Sequence, residues 1–461
     1  MTRKVLDDTV PLSKSRLWSL QKGWYERAGV EAWGSGMIPH FSTCNAFIAD
    51  AYARVVLGWL RDQVTAGLDP SQPVYLVELG AGSGRFAFLF LRRLLALIAA
   101  SPFSDLSITY VMTDFSEPGL ASWQAHPSLK PWVEAGILDF ARFDNEKDQS
   151  LRLRVRGVEL GAGSLRNPLC VIANYYLDSI PQDIFWMEEG QLYACMTTVT
   201  LPEEADAGDP SVLEHVEQLY EDHPVHGDYY GDPELDRILA GYRTSIPKGS
   251  VRFPVATLAV VRCMERLSGG RWMLLSADKG FARLDRLIGL PRPGLALHGS
   301  FSMTVNYHAV GEYFKAGGGE MLQPDHPPQS LYVVCCVAGP GPRLDVRAAY
   351  AEAIATFGPD DYFHMRKVTN PSEEFTIEQA MSLVRLGRGD TIQLLRLTPI
   401  LRRLVPDADL DVRQDLIALV DWCIPNYFHI GEREDFPFAA GTLYLCCGAF
   451  ERAIAMFELS L

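Results

Sequence analysis

The sequence predicts an α/β protein: a doubly wound, mostly parallel sheet preceded by a helical segment, interrupted by an inserted cap and followed by an all-helical region. Three observations predict it. Near-continuous apolar runs recur through the middle of the chain, as expected of strands buried on both faces. Stretches of three-to-four apolar spacing separate them, the pattern of crossover helices. After "AGPGPR" (338–343) the chain reads helical throughout, and the glycines and prolines of that stretch mark a linker. A chain of 461 residues accommodates several such units. The expected divisions are 1–70, 71–340 with its cap at about 184–250, and 341–461.

From Ser15 to about Gln63 the pattern is helical, clearest in "NAFIADAYARVVLGWLRD" (Asn45–Asp62), with Asn45 as N-cap. The strands then follow as Val74–Leu79, Ser107–Asp114, Ile137–Phe143, Leu169–Tyr176 and Arg271–Asp278. Ser302–His308 and Leu331–Gly339 are expected to close the sheet at seven strands. Within the insertion, Ile184–Leu201 reads as a hairpin turning at Glu189–Gly190, the acidic Glu203–His223 as helical, and Asp232–Arg243 as a further helix. It forms either a cap over the sheet's ligand edge or a surface decoration. At the end of the tail, Gly448, Phe450, Ala453, Phe457 and Leu461 match half of a tetratricopeptide helix pair; a generic amphipathic helix gives the same spacing.

The net charge of −15 argues against a broad nucleic-acid or anionic-membrane surface, since both require a basic footprint. Nine cysteines, two pairs of them adjacent at Cys335–Cys336 and Cys446–Cys447, lack zinc-ligand spacing and read as reduced thiols. The N-terminal stretch has no apolar core of a secretory signal, and no run approaches the ~18 apolar residues of a membrane-spanning helix. A cytoplasmic location is expected.

Chemistry concentrates in "VYLVELGAGSGRF", where a buried strand ends in Gly80, Gly82 and Gly84. Glycines at a strand–helix turn let backbone approach a ligand with no Cβ between them. The spacing excludes two common nucleotide motifs. Arg85 stands where a dinucleotide fingerprint needs its third glycine, and the Gly-Lys-Ser/Thr ending of a Walker loop is missing. What remains, an acid followed by Gly-x-Gly-x-Gly with Glu78 at the strand end, is the pattern that binds S-adenosylmethionine (SAM), whose cationic sulfonium amino acid suits a nearby carboxylate. Ala81 lies within this turn. One strand over, Asp114 is placed to accept two ribose hydroxyls, with Phe115 and Ser116 beside it; the competing reading is a helix cap. Asp144, after the third strand, is a candidate adenine contact. The fourth strand runs into "ANYYLDSIP", so Asn174, Tyr175 and Asp178 emerge at the switch point of the sheet and are candidates for the acceptor side.

Glu-Leu-Gly-Ala-Gly-Ser occurs twice, at Glu78–Ser83 and Glu159–Ser164. The second copy follows a charge-alternating stretch and leads into Pro168, with Leu165 in the place of Gly84. It is expected to be a loop before the fourth strand, with no helix N-terminus to receive a ligand.

"VELGAGSGRF", "ANYYLDSIPQDIF", "LLSADKG", "HGSFSMTVNYHAVGEYFKAGG" and "PHFSTCNAFIADAYARVVLGWL" together resemble, in order, the motifs of MidA-type SAM-dependent methyltransferases, a family like the mitochondrial complex I assembly arginine methyltransferase. The resemblance spans roughly residues 20–338. It implies a Rossmann-like class I methyltransferase seven-stranded sheet with a helical N-terminal segment and a cap insertion, to which this chain adds an all-α, tetratricopeptide-like region. It also implies SAM as cofactor, and methyl transfer to a protein side chain, arginine by resemblance, with Asn174, Tyr175 and Asp178 orienting the acceptor. Two family acids are replaced, at Tyr175 and at Ala46 in Thr43-Cys44-Asn45-Ala46. Those replacements leave open a small-molecule acceptor, or a non-catalytic scaffold that binds protein partners through its tail.

Overall fold

The computed structural model describes residues 2–298, 300–368 and 375–460. Seven strands form the central sheet: β1 (Val74–Leu79), β2 (Ile108–Asp114), β3 (Leu138–Arg142), β4 (Leu169–Asn174), β5 (Trp272–Asp278), β6 (Glu320–Leu322) and β7 (Tyr332–Ala338). Their order is β6-β7-β5-β4-β1-β2-β3. Pairings from β5 to β3 are parallel, whereas β7 runs antiparallel to both β5 and β6. This is an α/β, Rossmann-like sheet. The strand order reverses between β1 and β4, which places a crevice at their carboxyl ends. Strands β1, β2 and β4 are buried almost end to end, as their unbroken apolar runs require.

The sixth strand is not the one expected. Of the Ser302–His308 run, Ser302 ends a short strand paired with Ala296–His298 and Val305–Asn306 pairs with Gly280–Phe281, both outside the central sheet. Asn306 then caps the helix Tyr307–Ala316 by accepting from Ala309 N at 3.1 Å. A short apolar run with a good N-cap inside it is read equally well as strand or helix start, and here the cap prevails.

The insertion builds a second sheet. Asp183–Glu188 and Gln191–Pro202 form the expected hairpin, with Glu189 and Gly190 both at positive φ. Glu203–His223 is not helical throughout: it holds a 3-10 turn (Pro210–His215), and Glu217–Pro224 pairs along the Gln191–Pro202 strand. Alternation on that strand (Glu217, Leu219, Glu221 against Gln218, Tyr220, Asp222) has the period of two that a half-exposed edge demands. Arg3–Val10 pairs with the end of the same Gln191–Pro202 strand, and Lys248–Phe253 with Asp183–Glu188, so the start of the chain shares a sheet with the insertion.

Helix α1 (Leu17–Ala28) follows that first strand, and α2 (Ala46–Ala66) packs on α3 (Arg85–Ala99). Asn45 caps α2 as expected, accepting from Ile48 N at 3.0 Å. Strand β7 ends at Ala338 and helix Leu344–Tyr350 opens the tail, whose described elements up to Ser460 are all helices. Carboxylates seat this tail on the sheet domain. Asp62 at the end of α2 accepts from the backbone of Asp345 and Val346 (3.2 and 2.9 Å), and Asp360 accepts from Gln329, Ser330 and Leu331 before β7. The last two helices, Phe436–Cys447 and Phe450–Ser460, pack as a pair, with Gly448 in a left-handed C-cap. Leu461 lies outside the described residues. All nine cysteines are free thiols, seven of them buried. No described helix is long and apolar enough to cross a membrane.

Candidate active site

The carboxyl ends of β1, β2 and β4 open into a cavity of about 180 Å³. Its floor is the first Glu-Leu-Gly-Ala-Gly-Ser. Gly80, Gly82 and Gly84 all have positive φ (66°, 53° and 79°), and α3 starts at the next residue. Space is tight at all three as well, a Cβ on Gly84 standing 3.1 Å from Met112 Cε. A Cβ on Gly80 would stand 2.8 Å from the Tyr176 ring, and one on Gly82 3.2 Å from the Trp33 indole. The turn is locked by Ala81 N donating to Thr113 O (2.9 Å) and by Trp123 Nε1 donating to Gly82 O (2.9 Å).

Carboxylates meet this turn from two strands. Glu78 is buried and accepts from the Tyr110 hydroxyl at 2.9 Å; burial, with no cation beside it, pushes its pKa from 4.5 up to about 8. Asp114 lines the cavity and accepts from Ser116 N at 3.0 Å. Burial raises it to about 6, against the pull of the Ser116, Phe115 and Gly82 backbone. The cap of the following helix is Ser116, whose Oγ accepts from Gly119 N, so the carboxyl of Asp114 is not consumed in capping it. Phe115 and Ser116 also line the cavity.

Asp144 is drawn elsewhere. Lys22 Nζ of α1 reaches its Oδ1 at 2.8 Å, and its neighbours Phe143 and Asn145 line the cavity in its stead. The Lys22 bond and a backbone donor hold Asp144 below the usual carboxylate range, against the opposing effect of burial, which is the largest single influence.

At the end of β4, Asn174 lines the cavity and accepts from Tyr52 OH at 2.9 Å, while its buried Nδ2 has no hydrogen-bond partner among the described residues. An unmatched buried donor costs about 1–3 kcal/mol unless something else receives it. Tyr175 follows at φ 48°, a left-handed conformation rarely adopted by an aromatic residue, and this strained joint turns its ring into the cavity. Asp178 lines the same wall, accepting from Ser179 Oγ at 2.7 Å. Behind it lies Asp278, the last residue of β5, wholly buried, with Oδ2 accepting from Leu177 N and Oδ1 unpartnered. Burial raises both carboxyls, and the charge of Asp178 raises Asp278 further. Two buried carboxyls coupled in this way do not both ionise readily.

The structure thus gathers Glu78, Gly80, Ala81, Gly82, Asp114, Phe115, Ser116, Asn174, Tyr175 and Asp178 on one cavity. Gly84 stands behind it, against Met112 and Trp123. Sequence reasoning missed Asp278, although the rule that selected Asp114, an acid at the end of an apolar strand, applies to it equally. It also missed the roof: Tyr25 and Trp33, whose rings stack 5.9 Å apart, come from the N-terminal segment. Burial lifts the Tyr25 phenol to about 12. No local pattern announces such residues, because only the tertiary path of the chain brings them over the sheet.

The tail packs behind this site, on the helix that follows the turn. Arg85, the first residue of α3, is 5% exposed; it forms an ion pair with Glu432 and donates from Nη2 to Phe428 O at 2.9 Å. His126 stacks on Phe428 at 3.9 Å, and Asp390 accepts from Ala46 N at 2.9 Å. A carboxylate from the tail therefore stands at Ala46, one of the two positions at which the resemblance had lost an acid.

No family model and no curated protein matches the chain. Solved structures do resemble it. An uncharacterized protein from Burkholderia thailandensis is 15% identical, over 73% of this chain and 89% of that one, with a TM-score of 0.43. A suspected methyl transferase from the same organism, of the same superfamily and bound to S-adenosyl-homocysteine, is 14% identical, over 74% and 98%, at 0.42. Magnesium protoporphyrin IX methyltransferase from Synechocystis, with the same ligand bound, is 10% identical, over 70% and 100%, at 0.33.

Proposed function

We propose that the chain is a SAM-dependent methyltransferase of MidA type whose acceptor is a protein side chain, arginine by resemblance. The observation that carries this reading is the floor of the cavity: a left-handed glycine turn at a helix start, flanked by buried Glu78 and by Asp114 one strand over. Those residues suit SAM chemically. Glycines give the backbone close access, Asp114 can accept the ribose hydroxyls, and Glu78 is a carboxyl with no cation of its own. When bound, SAM supplies an electrophilic methyl group on a sulfonium.

The chain's own residues do the rest. Trp33 and Tyr25 roof the cavity and exclude water, which strengthens every charge interaction inside it. The free Nδ2 of Asn174 orients the acceptor by donating to it. Asp178, raised toward neutrality by burial and held down in part by a hydrogen bond with Asp278, takes the proton that the nucleophile sheds. Paired carboxyls also suit a cationic acceptor such as a guanidinium. The tail, docked beside the cavity, is the surface proposed to present the protein acceptor.

One observation favours a second reading, a non-catalytic scaffold: the Trp33 indole lies directly against the Gly82 turn and narrows the cradle. Calorimetry with SAM on the full chain separates the two. Binding in the micromolar range is expected; folded protein that evolves no heat at high micromolar SAM overturns the enzyme reading. Incubation with labelled donor and cell lysate, resolved by size, then tests the acceptor, and label that never appears on protein counts against a protein side chain.

A further inference from the structure

A second cavity, of about 370 Å³, lies away from the glycine turn, between α2, α3 and the tail. Four arginines line it: Arg54 from α2, Arg92 and Arg93 from α3, and Arg388 from the tail. They face a single lining carboxylate, Asp50, which is 6% exposed and pairs with Arg54 (2.9 Å), Arg93 and Arg388 (3.2 Å). At the outer rim Arg54 also has Glu352 at 3.9 Å, an acid 80% exposed. Arg92 has no ion pair or hydrogen bond among the described residues. Four guanidiniums against Asp50 and the rim acid Glu352 leave a local excess of positive charge, and guanidiniums gathered in one cavity repel one another unless an anion offsets them.

Backbone geometry adds a second, independent observation. Arg388 sits at φ 58°, between Gly387 and Gly389, where a helix end ordinarily takes glycine. The left-handed conformation is disfavoured for a non-glycine residue, and it is held where Arg388 lines this cavity. Trp422 closes one wall, packed against Gly389.

We propose that this cavity is a binding site for a phosphate-bearing anion. Guanidinium forks match phosphate oxygens in parallel pairs, and the cavity's excess positive charge calls for more negative charge than one carboxylate brings. Asp50 then acts as the spacer that holds three of the forks apart and aimed inward, while Arg92 is left free to contact the ligand.

Calorimetric titration of the full chain with inorganic phosphate, pyrophosphate and citrate, at about 50 mM salt, tests the assignment. Pyrophosphate is expected to bind at least about fivefold more tightly than citrate, and more weakly as salt rises. Arg92→Gln, which removes a side chain with no protein partner, should weaken it by about tenfold. Arg388→Gly should weaken it comparably while leaving the melting temperature unchanged or raised, because glycine relieves the left-handed strain. If Arg388 merely clasps the tail, Arg388→Gly lowers the melting temperature and leaves anion affinity intact, which would overturn the proposal. So would pyrophosphate affinity unchanged in Arg92→Gln, equal affinity for citrate, or no binding at millimolar pyrophosphate.

Discussion

The two copies of Glu-Leu-Gly-Ala-Gly-Ser show how little a hexapeptide determines about its role. In the first copy, Glu78 ends a six-residue strand in the middle of the sheet and the turn feeds α3. In the second, Glu159–Leu160 forms a two-residue ladder with Leu151–Arg152, and the glycines lead through a loop to β4. Gly82 and Gly163 even share a left-handed φ, 53° and 67°. The surroundings differ. A Cβ at Gly82 meets the Trp33 indole, whereas at Gly163 nothing lies within 4 Å. Glu78 is buried, and Glu159 is exposed with a single bond from Ser150 Oγ. Neighbours, and not the shared letters, separate a ligand cradle from a connection.

The sharpest way to break this contrast is to give both turns the same side chain. Gly82→Asp should abolish SAM binding, a loss beyond about 100-fold, through collision with Trp33 and a carboxylate set in the cradle. Gly163→Asp, in open space at a φ that Asp tolerates, should change affinity by less than about twofold. Calorimetry on both folded variants decides, and equal losses would remove the distinction.

The second test moves one residue beyond the turn. Only the first copy opens a helix, and the leading residue of that helix is buried and paired with the tail. Glu432→Gln leaves the Arg85 guanidinium buried without its carboxylate, and should destabilise the protein by about 3–5 kcal/mol, read as a large drop in urea midpoint. A fall under about 1 kcal/mol would mean that the pair is incidental.

The third compares the two glutamates. Glu78→Gln should weaken SAM binding about tenfold, while Glu159→Gln should leave it unchanged. Stability moves the opposite way. The folded state keeps a proton on Glu78 up to about pH 8, whereas the unfolded chain gives it up near 4.5. The stability contributed by this group is therefore complete below about pH 4.5 and is lost as pH rises toward 8. Asp114, raised to about 6, adds the same sign over a lower window. Thermal scans without ligand should show Glu78→Gln gaining on the parent protein between pH 5 and about 8.5, with no such trend for Glu159→Gln.

The smallest effect tests the acceptor wall. Asp278→Ala removes the side chain whose hydrogen bond lowers Asp178, and should raise the apparent pKa of the rising limb of activity, with kcat changed more than KM. A rising limb that does not move would confine Asp278 to a packing role.

Much of this was legible in the sequence, for a physical reason. Buried parallel strands need unbroken apolar runs, so β1 to β5 stand out, and the placement of ligand residues at strand ends is set by the sheet's own geometry. Asp278 lay within that reach. The rest depended on distance in the chain. Arg3–Val10 alternates too weakly to declare a strand until its partner at Gln191–Pro202 is present, and β6 has only three residues. The tail's grip on Arg85 involves residues more than 300 positions apart, which no local pattern encodes.

That grip has a thermodynamic corollary. Arg85 is at once the start of the helix behind the ligand turn and the residue on which the tail closes. If tail docking changes the affinity of the turn for its ligand by some factor, the ligand must change the docking equilibrium of the tail by the same factor. Occupancy at the glycine turn would then be felt at the far end of the chain, and a partner that pulls on the tail would be felt at the turn.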